Sequence, residues 1–235
     1  MTAEWRKLTI INYSVDPALL QADIPAMTEL DLWDNRCYVS LIGFMFLHTK
    51  VMGLAIPFHQ NFEEINLRFY AKSPVEDGYK RGVVFIKEIV PRRAISMVAN
   101  IVYKESYITR KMRHQWDILP NGMKIEYGFE QGHYQSLAIR TLANPLEVVP
   151  NSEAEFITEH YWGFTKIDEN RTNMYEVKHP KWKIFEGISV DVNVDFGQVY
   201  GTKWSFLAEQ KPISYYVAEG SPIEVRKSQQ LIKNR

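Results

Sequence analysis

The chain has 235 residues, of which 46% are hydrophobic and 13% aromatic, enough for a large core and far from the composition of a disordered polypeptide. Lysine plus arginine equals aspartate plus glutamate at 28 each, so no basic excess argues for nucleic acid or for an anionic membrane. One cysteine, Cys37, excludes an internal disulfide. The N-terminus lacks the apolar core and cleavage site of a secretory signal, so a cytoplasmic location is expected.

In chain order, DPALLQAD (16–23) reads as a short helix with Asp16 as cap and Pro17 in its first turn. A strand rich in β-branched and aromatic residues follows over 36–48, and its apolar run YVSLIGFMFL is about half of a bilayer span. Residues 49–60, with Gly53 and Pro57, form a loop. The strand at 62–71 places Glu64, Asn66, Arg68 and Tyr70 on one face and Ile65, Leu67 and Phe69 on the other. In a sheet closed into a barrel, one alternating set points inward, so this polar stripe either lines a cavity or is a solvated face. After the turn SPVEDGYKRG, residues 82–90 are nearly all apolar, as for a strand covered on both sides.

The segment AISMVANIVYKE (94–105) is ambiguous; its β-branched residues favour a strand, with a helical turn near 92–96. Residues 124–142 give one or two strands with glycine breaks. SEAEFITEH (152–160) is a second helix, with Ser152 as cap and Glu155 three residues on. HYWGFTKI and TNMYEVKH flank DENR as a hairpin, and strands near 198–207 and 213–219 follow. Many strands and two short helices predict a mainly β (β-rich α+β) fold in a single domain over 1–235.

Chemical motifs are sparse. None of the six histidines has a local metal-ligand spacing, and CxxC, HExxH, GxSxG and glycine-rich phosphate loops are all absent, so neither a metal nor a cofactor is expected. Cys37 reads as a small buried residue. EHYWGF (159–164) sets His160, Trp162 and Phe164 on one side of a strand; His160 is a candidate ligand-binding residue, and Trp162, Tyr70 and Tyr134 are candidate cavity walls.

The succession VDPALLQADIPAMTELDLWDNRCYVSLIGFMF, FHQNFEEINLRFY, GVVFIKEIVPRRA, FITEHYWGF and HPKW resembles the YqjF-like family of uncharacterised bacterial proteins over almost the whole chain. That family is similar in turn to acetoacetate decarboxylase, which implies a closed or nearly closed antiparallel β-barrel with a small internal cavity. The decarboxylase forms a Schiff base on a lysine whose pKa a neighbouring cation lowers, an example used for this chemistry in general. The resemblance sets Arg92 and Arg93, after Pro91, at the adjacent lysines, and leaves Glu63 and Glu64 as candidates for the family's glutamate. A guanidinium stays protonated and offers no amine lone pair, so decarboxylation at that position is not expected.

Arginine there can instead grip a carboxylate or phosphate with two parallel hydrogen bonds. The expectation is an anion-accepting cavity built from Arg92 or Arg93 with Glu64, Asn66 and Arg68. The competing expectation makes both arginines barrel-end residues paired with Glu88 or Glu105. The leading function is binding of a small, anionic organic molecule, a carboxylate among the candidates, with homo-oligomerisation left open. One alternative is a lyase or decarboxylase acting on a small keto acid through Lys87, Lys104 or the acid–base groups Glu64 and His160. Another is a non-catalytic interaction protein joining partners through strand edges.

Overall fold

Strand-forming segments rich in β-branched and aromatic residues recur along most of the chain, and the computed structural model, which describes residues 1–102 and 104–233, gathers them into one connected sheet of 15 strands. They are β1 (Thr2–Val15), β2 (Glu29–Leu30), β3 (Cys37–Lys50), β4 (Phe62–Val75), β5 (Gly78–Val90), β6 (Tyr107–Thr109), β7 (Met112–Leu119) and β8 (Gly122–Gln131). After these come β9 (His133–Leu142), β10 (Leu146–Glu147), β11 (Trp162–Asp168), β12 (Arg171–Lys178), β13 (Lys183–Asn193), β14 (Ser214–Val225) and β15 (Gln229–Ile232). Three helices interrupt them, α1 (Arg93–Val102), α2 (Glu153–Thr158) and α3 (Phe196–Tyr200).

The order β12-β11-β5-β4-β3-β1-β14 closes on itself because β14 also pairs with β12, at Val177↔Val225 and Lys178↔Glu224. The result is a nearly closed barrel. Its pairings are antiparallel except between β5 and β11, which run parallel at Trp162↔Gly82 and Gly163↔Val83. β14 forks: its first half pairs with β13, which leads to a second sheet of β13-β9-β8-β7.

The long strands are apolar on both faces because each face meets a different partner. Leu8, Phe44, Phe62, Tyr70 and Val83 belong to a cluster with Phe156 and Ile157 of α2. Ile11, Leu41, Ile65, Leu67 and Phe69 belong to another, with Ile125, Tyr127 and Leu137 of the second sheet and with Phe196 and Trp204. Gly43 lets the two sheets approach closely. A Cβ there would lie 2.9 Å from the Tyr127 ring, whose hydroxyl donates to the Lys7 carbonyl at 2.9 Å.

Several expectations need correcting. Residues 94–105 hold α1 in place of a strand. Ala94, Ile95, Val98 and Ala99 face one wall at helical spacing, and the β-branched content only imitated a strand; Tyr103 lies outside the described residues. The segment 198–207 is also helical: Asp195 caps α3 by accepting from the Gln198 amide at 2.9 Å, and a 3-10 helix over Thr202–Ala208 buries Trp204 and Leu207. The first helix is shorter than expected, a 3-10 turn over Pro17–Leu20, with Asp16 accepting from the Ala18 amide at 2.8 Å. The expected region 124–142 divides into β8 and β9 at Gly132, whose φ of 75° suits glycine. Ser152 caps α2 as expected, accepting from the Glu155 amide at 3.2 Å. β1, β7 and β13 were not foreseen. Among the described residues no helix is long and apolar enough to cross a membrane.

Candidate functional site

Alternation along β4 decides which side chains meet inside the ring. Phe62, Glu64, Asn66 and Arg68 line an internal cavity of about 280 Å³, while Ile65, Leu67 and Phe69 pack on the opposite face. β5 continues the wall, but with an irregularity: Leu67 faces Lys87 and Arg68 faces Phe85, so Ile86 is an extra residue. A bulge of this kind switches the face that later residues occupy. Val83 and Phe85 line the cavity before it, and Glu88 after it. Lys87 is thereby turned outward, where its Nζ donates to the Val199 carbonyl.

The rest of the wall is mostly aromatic and aliphatic, with Trp5, Phe44, Phe46, Tyr175 and Trp182 on the ring side and Ala94, Ile95, Val98 and Ala99 on α1. Its polar part is a cluster of carboxyl groups. Glu64 and Glu88 are 2% and 1% exposed, and the Asn66 amide and the Tyr107 hydroxyl each donate to Glu64 at 3.0 Å. Tyr175 donates to Glu105 at 2.5 Å.

Burial raises all three pKa values. For Glu64, hydrogen bonds from Asn66 and Tyr107 and the Arg68 charge oppose it, leaving about 7. Glu105 is raised to about 8 by burial and by Glu64, against the Tyr175 hydrogen bond; the residue is partly exposed as a whole, but its carboxyl is enclosed beside Tyr175. Glu88 goes well above the carboxylate range, pushed by burial and then by Glu105 and Glu64. The three titrate as one unit, and at neutral pH at least one is a neutral acid.

Arg68 is the cation of the cavity wall. Among the described residues no carboxylate lies within 4.0 Å of its guanidinium, and its buried Nε has no hydrogen-bonding partner in the protein. The Cζ stands 5.7 Å from the Tyr70 ring. His160 completes this part of the wall. Its Nε2 lies 3.1 Å from Asp31 Oδ2, which also accepts from Arg81 Nε at 2.6 Å. Burial pushes the His160 pKa down to about 4 despite Asp31. Burial alone would raise Asp31, but hydrogen bonds from His160 and Arg81 outweigh it and hold that carboxyl below its usual range.

Of the residues the sequence singles out, the structure therefore brings Glu64, Asn66, Arg68, His160 and Trp162 to one cavity, with Tyr70 behind Arg68 and His160. It does not bring Arg92 and Arg93 there. Both line an open cleft at the barrel end with Glu63, Arg110 and His114, because Pro91 ends β5 and α1 begins in another direction. The carboxylate that feels Arg92 is Glu63, which also bonds His114 at 2.7 Å, and not Glu88 or Glu105. Tyr134 lies on β9, its ring 3.8 Å below the Arg113 guanidinium, away from the cavity. Cys37 is buried, and burial pushes its thiol up to about 11. Glu88, Glu105 and Tyr107 were missed as site residues. A carboxylate inside the apolar run GVVFIKEIV was the available signal for the first of them.

A ring of seven strands with a second sheet against its outer face places the protein in the acetoacetate decarboxylase-like fold class. The enduracididine biosynthesis enzyme MppR with HEPES buffer bound superimposes with a TM-score of 0.68 at 9% identity, over 98% of this chain and 87% of that one. Acetoacetate decarboxylase from Legionella pneumophila gives 0.65 at 13%, over 98% and 86%. An acetoacetate decarboxylase-like enzyme from Sphingomonas wittichii RW1 gives 0.68 at 11%, over 99% and 93%. At these identities the likeness is one of fold. The chain belongs to the DUF2071 family, described as an uncharacterized conserved protein, which it matches over residues 2–222. It is 23% identical over 221 residues to the uncharacterized protein YqjF of Bacillus subtilis (strain 168), covering 92% of this chain and 86% of that one.

Proposed function

We propose that the protein binds a small, anionic organic molecule inside the ring, with its head group on Arg68 and its apolar part against Phe44, Phe46, Phe62 and Trp182. The observation that carries this reading is the Arg68 guanidinium: cavity-facing, with a buried Nε that has no partner in the protein and no carboxylate in ion-pair range. Such a group needs an acceptor from outside the protein, and a carboxylate fits the fork of a guanidinium. No lysine is among the described residues lining the cavity, so the reading involves no Schiff base.

Thermal unfolding with hexanoate, benzoate and hexanol tests it. At a hundredfold excess over Kd a carboxylate should raise Tm by about 5–10 °C. Arg68→Met should abolish the shift, while Glu88→Gln retains it. Equal stabilisation by hexanol and hexanoate would reject the reading.

A second reading, a lyase or decarboxylase acting on a small keto acid by acid–base chemistry, is favoured by one observation. Glu64 at about 7 and Glu105 at about 8 can both give and take a proton near neutral pH. An enolising lyase or a β-keto acid decarboxylase of this kind should exchange the α-protons of pyruvate or of acetone for deuterium in D2O, and Glu64→Gln should slow that exchange at least ~100-fold. Wild-type protein with no exchange above the buffer rate would remove it.

A further inference from the structure

The His160 imidazole is held in one orientation and one tautomer. Its ring lies 4.7 Å from Tyr70 and meets Phe156 edge-on at 5.0 Å. Asp31 Oδ2 accepts from the Arg81 guanidinium and lies 3.1 Å from Nε2. A carboxylate kept ionised in this way has only lone pairs to offer, so Nε2 carries the proton and Nδ1 is left with a bare lone pair. That Nδ1 is buried without a partner in the protein, and the ring is part of the cavity wall. Arg68 lines the same cavity, close enough for its charge to act on the imidazole.

Deepening the Arg68 reading, on which it rests, we infer that the ligand is a hydroxycarboxylate, with its carboxylate on Arg68 and a hydroxyl one or two carbons away donating to His160 Nδ1. The donor is a neutral hydroxyl because Arg81 and Arg68 both disfavour a positive charge at this point. A carbonyl oxygen is excluded, because it would set two lone pairs against each other.

The wild-type protein is titrated calorimetrically with hexanoate, 2- and 3-hydroxyhexanoate and 2-oxohexanoate. One hydroxy acid should bind at least ~10-fold more tightly than hexanoate, and the oxo acid should show no such gain. His160→Phe should erase the gain and leave the hexanoate affinity in place. If no carboxylate binds, the Arg68 reading itself falls. If hexanoate binds while the hydroxyl adds nothing, or the oxo group adds as much, only the present inference is overturned. Should His160→Phe fail to fold, 15N spectra of the wild-type histidines decide the matter. The hydroxy acid must shift the non-protonated Nδ1 resonance of His160 and leave Nε2 protonated, and an unmoved Nδ1 overturns the inference.

Discussion

Glu88 is 1% exposed, has no cation in ion-pair range among the described residues, and is pressed by two other carboxyl groups. Its stability effect follows from proton counting. In the unfolded chain these glutamates release their protons near 4.5, whereas the folded chain holds them until about 7 at Glu64 and about 8 at Glu105. Between those values the unfolded state binds fewer protons, so stability falls as pH rises from about 4.5 to about 8. Glu88→Gln removes one member of the cluster and should raise Tm more at pH 8 than at pH 5, by an amount worth more than about 1 kcal/mol. Calorimetry at the two pH values checks this; an equal change at both would show that the cluster is not strained by charge. Single-residue alternation made Glu64, Asn66 and Arg68 legible as one face. Which side that face occupies depended on ring closure, through strand pairings as distant as Val177↔Val225. Arg92 and Arg93 were misplaced because a match of motif says nothing about the direction the chain takes after Pro91.

At the scale of elements, the bulge at Ile86 and the helix α1 decide what the cavity contains. Without the extra residue, alternation from Val83 and Phe85 would carry Lys87 inward; with it, the inward residue is Glu88. Nothing in GVVFIKEIV announces the bulge, since the strand is apolar on both faces and tolerates either register. α1 was misread for a related reason: short apolar runs look alike as helix or strand until packing chooses. The helix also positions a site residue. Asn100 clamps the Tyr107 backbone, donating to its carbonyl at 3.0 Å and accepting from its amide at 2.8 Å, and Tyr107 in turn bonds Glu64. Asn100→Ala should therefore cost about 1–3 kcal/mol in urea unfolding. It should weaken carboxylate binding little, because Arg68 is untouched. A variant as stable as the parent would show that the clamp is dispensable.

For the whole molecule, the weak places are the seams on either side of the β11–β12 hairpin, where pairing is confined to Trp162↔Gly82 and Gly163↔Val83 on one side and to Val177↔Val225 and Lys178↔Glu224 on the other. Gly82 permits the first of these, since a Cβ there would lie 2.4 Å from the Trp162 carbonyl oxygen. Gly82→Ala should push the seam apart and destabilise the protein by about 1–3 kcal/mol, read as a lower urea midpoint together with lost carboxylate-induced stabilisation. Retention of both would mean that the seam can shift without opening the ring. The fork of β14 sets an order on events during synthesis. β1 pairs with β14 along much of its length, from Thr2↔Glu224 to Asn12↔Ser214, and the same late strand fastens β12 and β13. A nascent chain carries β1 with one edge unsatisfied until the other strands of the ring and the second sheet have been translated, and no lumen exists before then. Closure of this barrel therefore waits on β14 and should be slow, because its defining contacts are far apart in sequence, and a nascent chain stalled before β14 would expose a sticky edge for a chaperone to cover.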